Sequence, residues 1–486
     1  VLYGHPDAQA ILTKIQVEND RLLILRNTVE GERPAGFVSY REIGNDELFG
    51  VLKDMELANR VRGKSSREIL LITGIYAREE NAGDSEVIRD APQQLLVEVL
   101  AKELEKNYSF ALFVAERGTT TKEVVYALER QGFIRPQLAD ESDKRTVYMV
   151  DMHEPLMFLH NLETTIKEPF ASNPAVLDAI EKNHRKLQIA MTKLYPGNLV
   201  LSLSSSIMYH RLVDRITALN DVPREPLVPR RLGKNMCVPF GKILRGKVVP
   251  NTVTKTLHTD KVYEPDLNSF TIEPFPYYSP LKSQIETIKS FDRPVILVDD
   301  LVHKADRLQV LVPQLREDGI PIRKVIVGVL SGYGRDLMQC LKVPVESIYS
   351  MPNLRQWFVE STLYPFIGGD TVRREEMKVA GLQPSINMIL PYATPRLSGC
   401  SREALVEFSA CCIENSRDLF QVLEAEYRKM YAKNLTLSRL SEAVILPLCP
   451  DKGSCMEYDE NLAASVYLEN DLEMLQRMRK FMVTIQ

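Results

Sequence analysis

The chain has 486 residues, of which 44% are hydrophobic and 26% charged, with a formal net charge of -4 at pH 7. That length suggests about three domains with ample material for a core, and the slight acidity excludes a general pull toward nucleic acid or an acidic membrane. Nothing approaches roughly 18 consecutive apolar residues, so no transmembrane helix is expected. The chain opens at Val1 without a basic and apolar leader. Its seven cysteines, Cys237, Cys340, Cys400, Cys411, Cys412, Cys449 and Cys455, are odd in number and include no C-x-x-C pair. That pattern argues against a disulfide framework and a cysteine zinc site, and for a reducing cytoplasm. Lacking an initiator Met, the sequence reads as a fragment whose preceding domain is missing.

Residues 1–165 alternate strands and helices. RLLILR at 21–26 and AGFVSY at 35–40 read as strands joined by a polar turn, and ILLITGIY at 69–76 as a third. A helix follows at 91–106, with Leu95, Leu96, Val99, Leu100 and Leu104 on one face. Then come a strand at 110–115, a helix at 121–131 and a strand at 146–152. The order of AGFVSYREI, LLITGIYA, YSFALFVAERG and VVYALERQGF resembles the GNAT acyltransferase superfamily. The resemblance implies acetyl-CoA held by a basic, glycine-rich loop at a helix N-terminus, and a Tyr acid four residues before the glycine of the GF turn. Here the loop is AREENAGDSEVIRDAPQQ, mainly acidic, with Arg78 and Arg89 its cations. Leu128 holds the acid's position, Tyr126 lies two residues earlier, and Glu79 or Glu80 could serve as a carboxylate base.

Residues 166–197 form a connector. His153 to Pro174, with Pro155 and Pro169, reads as a linker. Asn173 and Pro174 then start a helix as cap and first residue. Val176, Ile180, Leu187, Met191 and Leu194 turn inward, and Gly197 ends it. His184, among charged neighbours, reads as a solvated surface residue.

In residues 198–392, a strand at 199–203 leads through Ser204, Ser205 and Ser206 into the helix IMYHRLVDRITAL. The turn offers free amides and hydroxyls for an oxyanion, or a plain serine cap. His210 and Arg211 follow one turn later. From Arg224 to Lys261 nine Lys or Arg residues face two acids, Glu225 and Asp260. Strand-like runs, MCVPFGKIL and KVVPNTVTKTLH, lie within this basic stretch. Next, Val295 to Val298 form an unalternating apolar run, as in a strand of a parallel sheet covered on both faces, and two aspartates end it. Leu308, Leu311, Val312 and Leu315 have helical spacing, Gly319 stops that helix, and 325–330 is the next strand. Ligands of such sheets sit beyond the carboxyl ends of the strands, where Asp299 and Asp300 lie.

VILVDDLVHKADRL resembles the PRPP-binding signature of the type I phosphoribosyltransferases. The resemblance implies Asp299 and Asp300 on ribose hydroxyls and residues 301–307 around the 5-phosphate. It also implies Ser204, Ser205 and Ser206 on pyrophosphate, Mg²⁺ bridging phosphate and ribose oxygens, and a basic hood contacting substrate through Lys255, His258 and Lys261. Where the family has Thr and Gly, this chain has His303, Lys304, Ala305, Asp306 and Arg307. Losing glycine removes easy positive φ; Asp306 would repel a phosphate, while Lys304 and Arg307 would attract it. Aspartates there would also suit a following helix N-terminus with no ligand.

Beyond Leu330, SGYGRDLMQCL reads as a turn into a helix and 343–349 as a strand. Trp357 is expected in a domain contact or on the nucleobase side of the cleft. Residues 393–486 form a helical tail, with helices at 401–415, 416–431 and 462–481. Its stripe of Met474, Leu475, Met478 and Met482 reads as core or as the contact of a homodimer. The fold class is therefore α/β, with a GNAT-like mixed sheet and a parallel-sheet phosphoribosyltransferase-like domain. Three functions fit: a transferase taking PRPP or a nucleotide with Mg²⁺, an acetyl-CoA-dependent N-acyltransferase, and a non-catalytic nucleotide sensor or scaffold. Nucleic acid fits the basic stretch less well, since stacking aromatics are not interleaved with it.

Overall fold

The computed structural model describes residues 13, 15, 16, 20–27, 33–77, 91–116, 120–138, 145–229, 231–276, 278–374, 379–395, 397–452 and 457–484. Two compact units divide them. The first comprises residues 1–157, 191–202 and 350–356, and the second 158–190, 203–349 and 357–486.

The first unit is built on β1 (Arg21–Asn27), β2 (Arg33–Ile43), β3 (Ile69–Ala77), β4 (Phe110–Glu116) and β5 (Arg145–His160), hydrogen-bonded in that order. All pairs are antiparallel except β3 with β4. That parallel pairing covers Ile69 to Ile72 only, so the strands part beyond it. Helices α1 (Leu48–Leu52) and α2 (Met55–Lys64) were not apparent in the sequence. Asp54 starts α2 by accepting the Leu57 amide at 2.8 Å. Leu48, Leu52, Leu57 and Val61 bury themselves with Ile69 and Leu112. Helices α3 (Ala91–Glu103) and α4 (Lys122–Arg130) fall where helical spacing placed them.

The stretch read as a linker begins as strand: β5 runs on through Pro155 to His160, and the Pro155 carbonyl accepts the Arg355 amide at 3.0 Å. Helix α5 (Pro174–Leu194) starts as expected, Asn173 Oδ1 accepting the amides of Ala175 and Val176 at 2.9 and 3.4 Å. His184 on α5 is a correction. It is 5% exposed, with Nδ1 2.7 Å from Glu360, because its charged neighbours in sequence occupy other faces of the helix.

After α5, β6 (Asn198–Ser204) joins β5, and α6 (Ser205–Leu219) follows. The second unit holds β7 (Met236–Pro239), β8 (Val253–Thr254), β9 (Thr259–Tyr263), β10 (Phe270–Pro274), α7 (Leu281–Lys289), β11 (Val295–Val302), α8 (Asp306–Glu317), β12 (Ile322–Ser331), α9 (Gly332–Cys340) and β13 (Val345–Met351). After β14 (Gln356–Val359), which pairs with β5, come α10 (Glu360–Leu363), β15 (Asp370–Val372), β16 (Gln383–Ile386), α11 (Arg402–Tyr431), β17 (Leu448–Pro450) and α12 (Ala464–Thr484). One sheet runs β13-β12-β11-β7-β8, and β11 pairs in parallel with both neighbours. A second runs β10-β9-β15-β16-β17. MCVP thus belongs to the parallel core and not to a hood.

The apolar run of β11 is completely buried, as a central parallel strand requires, and Leu308, Leu311, Val312 and Leu315 of α8 pack in the same core. Helix α11 is one 30-residue helix where the sequence suggested two. Ser416, at the expected break, is buried with its Oγ donating to the Pro365 carbonyl at 2.9 Å. The tail is not wholly helical, since β17 pairs with β16. Of the expected stripe Leu475 is buried while Met474 is 45% exposed; Leu468 and Leu472 complete the inward face of α12. Trp357 is 39% exposed. Among the described residues no helix is long and apolar enough to cross a membrane. The α/β class and its mixed and parallel sheets are as expected.

Candidate functional site

Strand β11 does not end at its aspartates; it continues through Leu301 and Val302, with Asp299 opposite Val327 of β12. On its other side β7 stops at Pro239, opposite Val298. Asp299 and Asp300 therefore stand just beyond the end of a neighbouring strand, the side on which ligands of open α/β sheets bind. The chain leaving β7 folds over them. Asp300 Oδ2 accepts the Lys242 amide at 2.6 Å and Oδ1 the Ile243 amide at 2.9 Å. Asp299 Oδ1 accepts the Asp300 amide at 2.8 Å. Gly241 permits this approach, since a Cβ there would lie 2.5 Å from Asp300 Oδ1 and 2.7 Å from Asp299 Oδ1.

Charged side chains from three further segments meet at this turn. Lys242 and Arg245 come from the loop after β7, Arg307 from the start of α8, and Lys261 and Asp370 from β9 and β15. Arg307 Nη1 donates to the Phe240 carbonyl at 3.2 Å. Burial pushes the Asp299 carboxyl up to about 7, with Arg307 opposing the rise and Asp300 adding to it. Burial also raises Asp370, against the pull of Lys242 and Lys261. It lowers Lys242, which Asp370 partly offsets, and lowers Arg245, to which Arg307 adds. Burial thus shifts two carboxyls and two cations of this cluster toward their neutral forms.

The expected phosphate loop, residues 301–307, leads into α8. His303 Nδ1 lies 2.9 Å from Ser331 Oγ, burial being the main cause of its lowered pKa. Lys304 is exposed. Ala305 takes the left-handed conformation (φ +53°) that a glycine would supply without strain, and precedes α8. Asp306, first in the helix, places its own carboxylate at the N-terminus, a favourable position, and Lys261 Nζ reaches it at 3.3 Å. An Ala305→Gly variant is expected to gain about 0.5–1 kcal/mol, the relieved strain exceeding the entropy glycine gains on unfolding. Urea denaturation should show a higher midpoint; a lower one would mean that Ala305 packing outweighs the strain.

Ser204, Ser205 and Ser206 follow β6, which pairs with β5, whereas the strand beside β11 is β7. Ser204 occupies the cap of α6 without a side-chain capping bond, Ser205 is buried and Ser206 exposed. Helix α6 packs on β12 through Met208, whose Sδ would lie 2.1 Å from a Cβ on Gly328. Lys255 is exposed, and His258 stacks on Tyr278 with centroids 3.8 Å apart. Burial first, then Arg245 and Lys255, lower the His258 pKa. Of the three expected hood contacts, Lys261 pairs with Asp306 beside the aspartates. Lys242, Arg245 and Asp370 escaped the sequence reading. The glycine and lysine directly after the apolar run MCVPF were the available signal for the first of them.

In the first unit, Arg78, Glu79, Glu80 and Arg89 lie outside the described residues. Leu128 is fully buried, and Tyr126 is 38% exposed with the Arg130 guanidinium 5.5 Å from its ring centroid.

No protein-family model matches this sequence, and no curated relative matches it significantly. Parts of the chain are similar in fold to solved structures. The NatC complex bound to Gag peptide and CoA contains a chain 10% identical, covering 30% of this chain and 79% of that one, with a TM-score of 0.20. FeeM, an N-acyl amino acid synthase from uncultured soil microbes, is 15% identical over 30% of this chain and 92% of its own (TM-score 0.20). Purine phosphoribosyltransferase from Pyrococcus horikoshii Ot3 is 13% identical over 32% and 87% (TM-score 0.21).

Proposed function

We propose that the second unit binds a phosphorylated ribose or nucleotide and does not transfer its ribosyl group. The observation that supports binding is the burial-shifted cluster of Asp299, Asp370, Lys242 and Arg245 at the carboxyl ends of β7 and β11. Cations suit the phosphate and carboxylates the sugar hydroxyls, so one crevice offers both halves of such a ligand.

The assignment against transfer rests on what the other groups already do. Both oxygens of Asp300 hold backbone amides, so the acidic pair is reduced to Asp299. At α8 the Asp306 carboxylate lies in the first turn, where its charge opposes a phosphate. Asp299 Oδ2 alone is a poor cage for Mg²⁺, which would enter only with the ligand's phosphates. The protein's part is then to orient and hold, with the closing loop supplied by Lys242 and Arg245.

Calorimetry with PRPP, nucleoside monophosphates and pyrophosphate, with and without Mg²⁺, tests the reading alongside an assay for pyrophosphate release. Binding without release is expected, and Arg307→Ala should weaken it about 10- to 100-fold, the worth of one charge-assisted contact. No heat with any of these ligands would remove the binding claim. Sustained pyrophosphate release would remove the claim that transfer is absent.

A further inference from the structure

A second cluster lies apart from this crevice, at the end of β5. His160 closes that strand, His184 sits midway along α5 and Glu360 opens α10, so three elements far apart in sequence aim side chains at one point. The side chains are 12%, 6% and 0% exposed. His184 Nδ1 is 2.7 Å from the Glu360 carboxylate and His160 Nδ1 is 3.5 Å from it. The two imidazole centroids are 4.3 Å apart, and one donor atom from each of the three residues falls within 4.8 Å of the others.

A buried carboxylate needs a cation beside it. One imidazolium would suffice, yet two imidazoles converge on Glu360 with their Nδ1 atoms toward it. We infer that His160, His184 and Glu360 form a binding site for a divalent transition metal of the zinc class, with three protein ligands and one open position. Tetrahedral zinc at about 2.0–2.2 Å from nitrogen and oxygen donors sets them roughly 3.3–3.5 Å apart. The Glu360 separations of 2.7 and 3.5 Å lie on either side of that spacing, and the 4.8 Å that bounds the whole set leaves the imidazoles to close on an ion. Imidazole with carboxylate favours zinc-class ions over Mg²⁺ or Ca²⁺.

The surroundings are those of a ligand set held in place. Glu163 Oε1 lies 3.5 Å from His184 Nε2, on the far side of the ring from Glu360. A carboxylate there fixes the tautomer that leaves Nδ1 as the donor. Tyr364 Oη donates to Glu360 Oε1 at 3.2 Å and accepts from Asn415 Nδ2 at 3.0 Å. Asn161 and Ser361 exchange two bonds of 2.9 Å, tying the end of β5 to the start of α10. Asn183 and Asn415 exchange bonds of 2.8 and 3.0 Å, tying α5 to α11.

The test is metal uptake by the full chain after chelator stripping, read by elemental analysis and by competition with a chromophoric chelator. About one equivalent of Zn²⁺ is expected to bind and to raise Tm by about 5 °C, with Mg²⁺ producing neither effect. His160→Gln/His184→Gln should reduce affinity at least 100-fold, while His210→Gln should leave it unchanged. Should the double variant fail to fold, X-ray absorption of the zinc-loaded wild type decides, two imidazoles being the expected scattering. Substoichiometric uptake by the stripped wild type, unchanged affinity in a folded double variant, or a metal shell without imidazole would each overturn the assignment.

Discussion

Asp300→Asn is expected to destabilise the protein by about 2–4 kcal/mol, the scale of two amide bonds to a charged acceptor. Its Oδ2 and Oδ1 accept the amides of Lys242 and Ile243 at 2.6 and 2.9 Å. An asparagine keeps one oxygen and turns an NH₂ group toward the second amide, so one donor is left facing another. The turn after β7 is held over β11 by these bonds, and Gly241 lies within the same approach. Loosening it should therefore carry Lys242 and Arg245 out of register and weaken ligand binding as well. Denaturant unfolding with and without PRPP measures both effects. A variant with wild-type stability would show that the Asp300 carboxylate is available to a ligand, which would reopen the reading of an intact acidic pair.

Much of this arrangement was legible in the sequence, for an identifiable reason. The run Val295 to Val298 announces a strand buried on both faces, and its 0–1% exposure is the direct consequence. Leu308, Leu311, Val312 and Leu315 announce the helix after it by spacing alone, and all four are buried. Local pattern does not say which strand becomes the neighbour of β11. The strand before Ser204 to Ser206 joined β5, and β7 took the place beside β11. His184 was misread because only local pattern was visible. Its sequence neighbours are charged, but on a helix they occupy other faces, and its partners Glu360 and Glu163 arrive from distant segments. Pro155 suggested a linker, although a proline can lie within a strand wherever its nitrogen faces no ladder partner.

Asp299→Asn should do the opposite of its neighbour's substitution and stabilise the protein, increasingly so as pH rises. Burial holds the Asp299 carboxyl at about 7 in the folded chain, against about 3.9 when unfolded. Between those values the unfolded chain has released a proton that the folded chain still binds, so wild-type stability falls as pH increases across that window. Above about 7 both forms are ionised, and the full cost of the buried charge is present. Between pH 5 and pH 8 this one group should remove about 2–3 kcal/mol. Asparagine can still accept the Asp300 amide and carries no charge, so its advantage over wild type should grow from pH 5 to pH 8. A purely structural carboxylate would give the reverse sign, since asparagine would then lose a useful ion pair. Paired unfolding curves at the two pH values decide between them. If the variant also loses affinity for phosphorylated ribose, the same carboxylate that costs stability is the one that meets the sugar, a trade between stability and binding expected at a functional site.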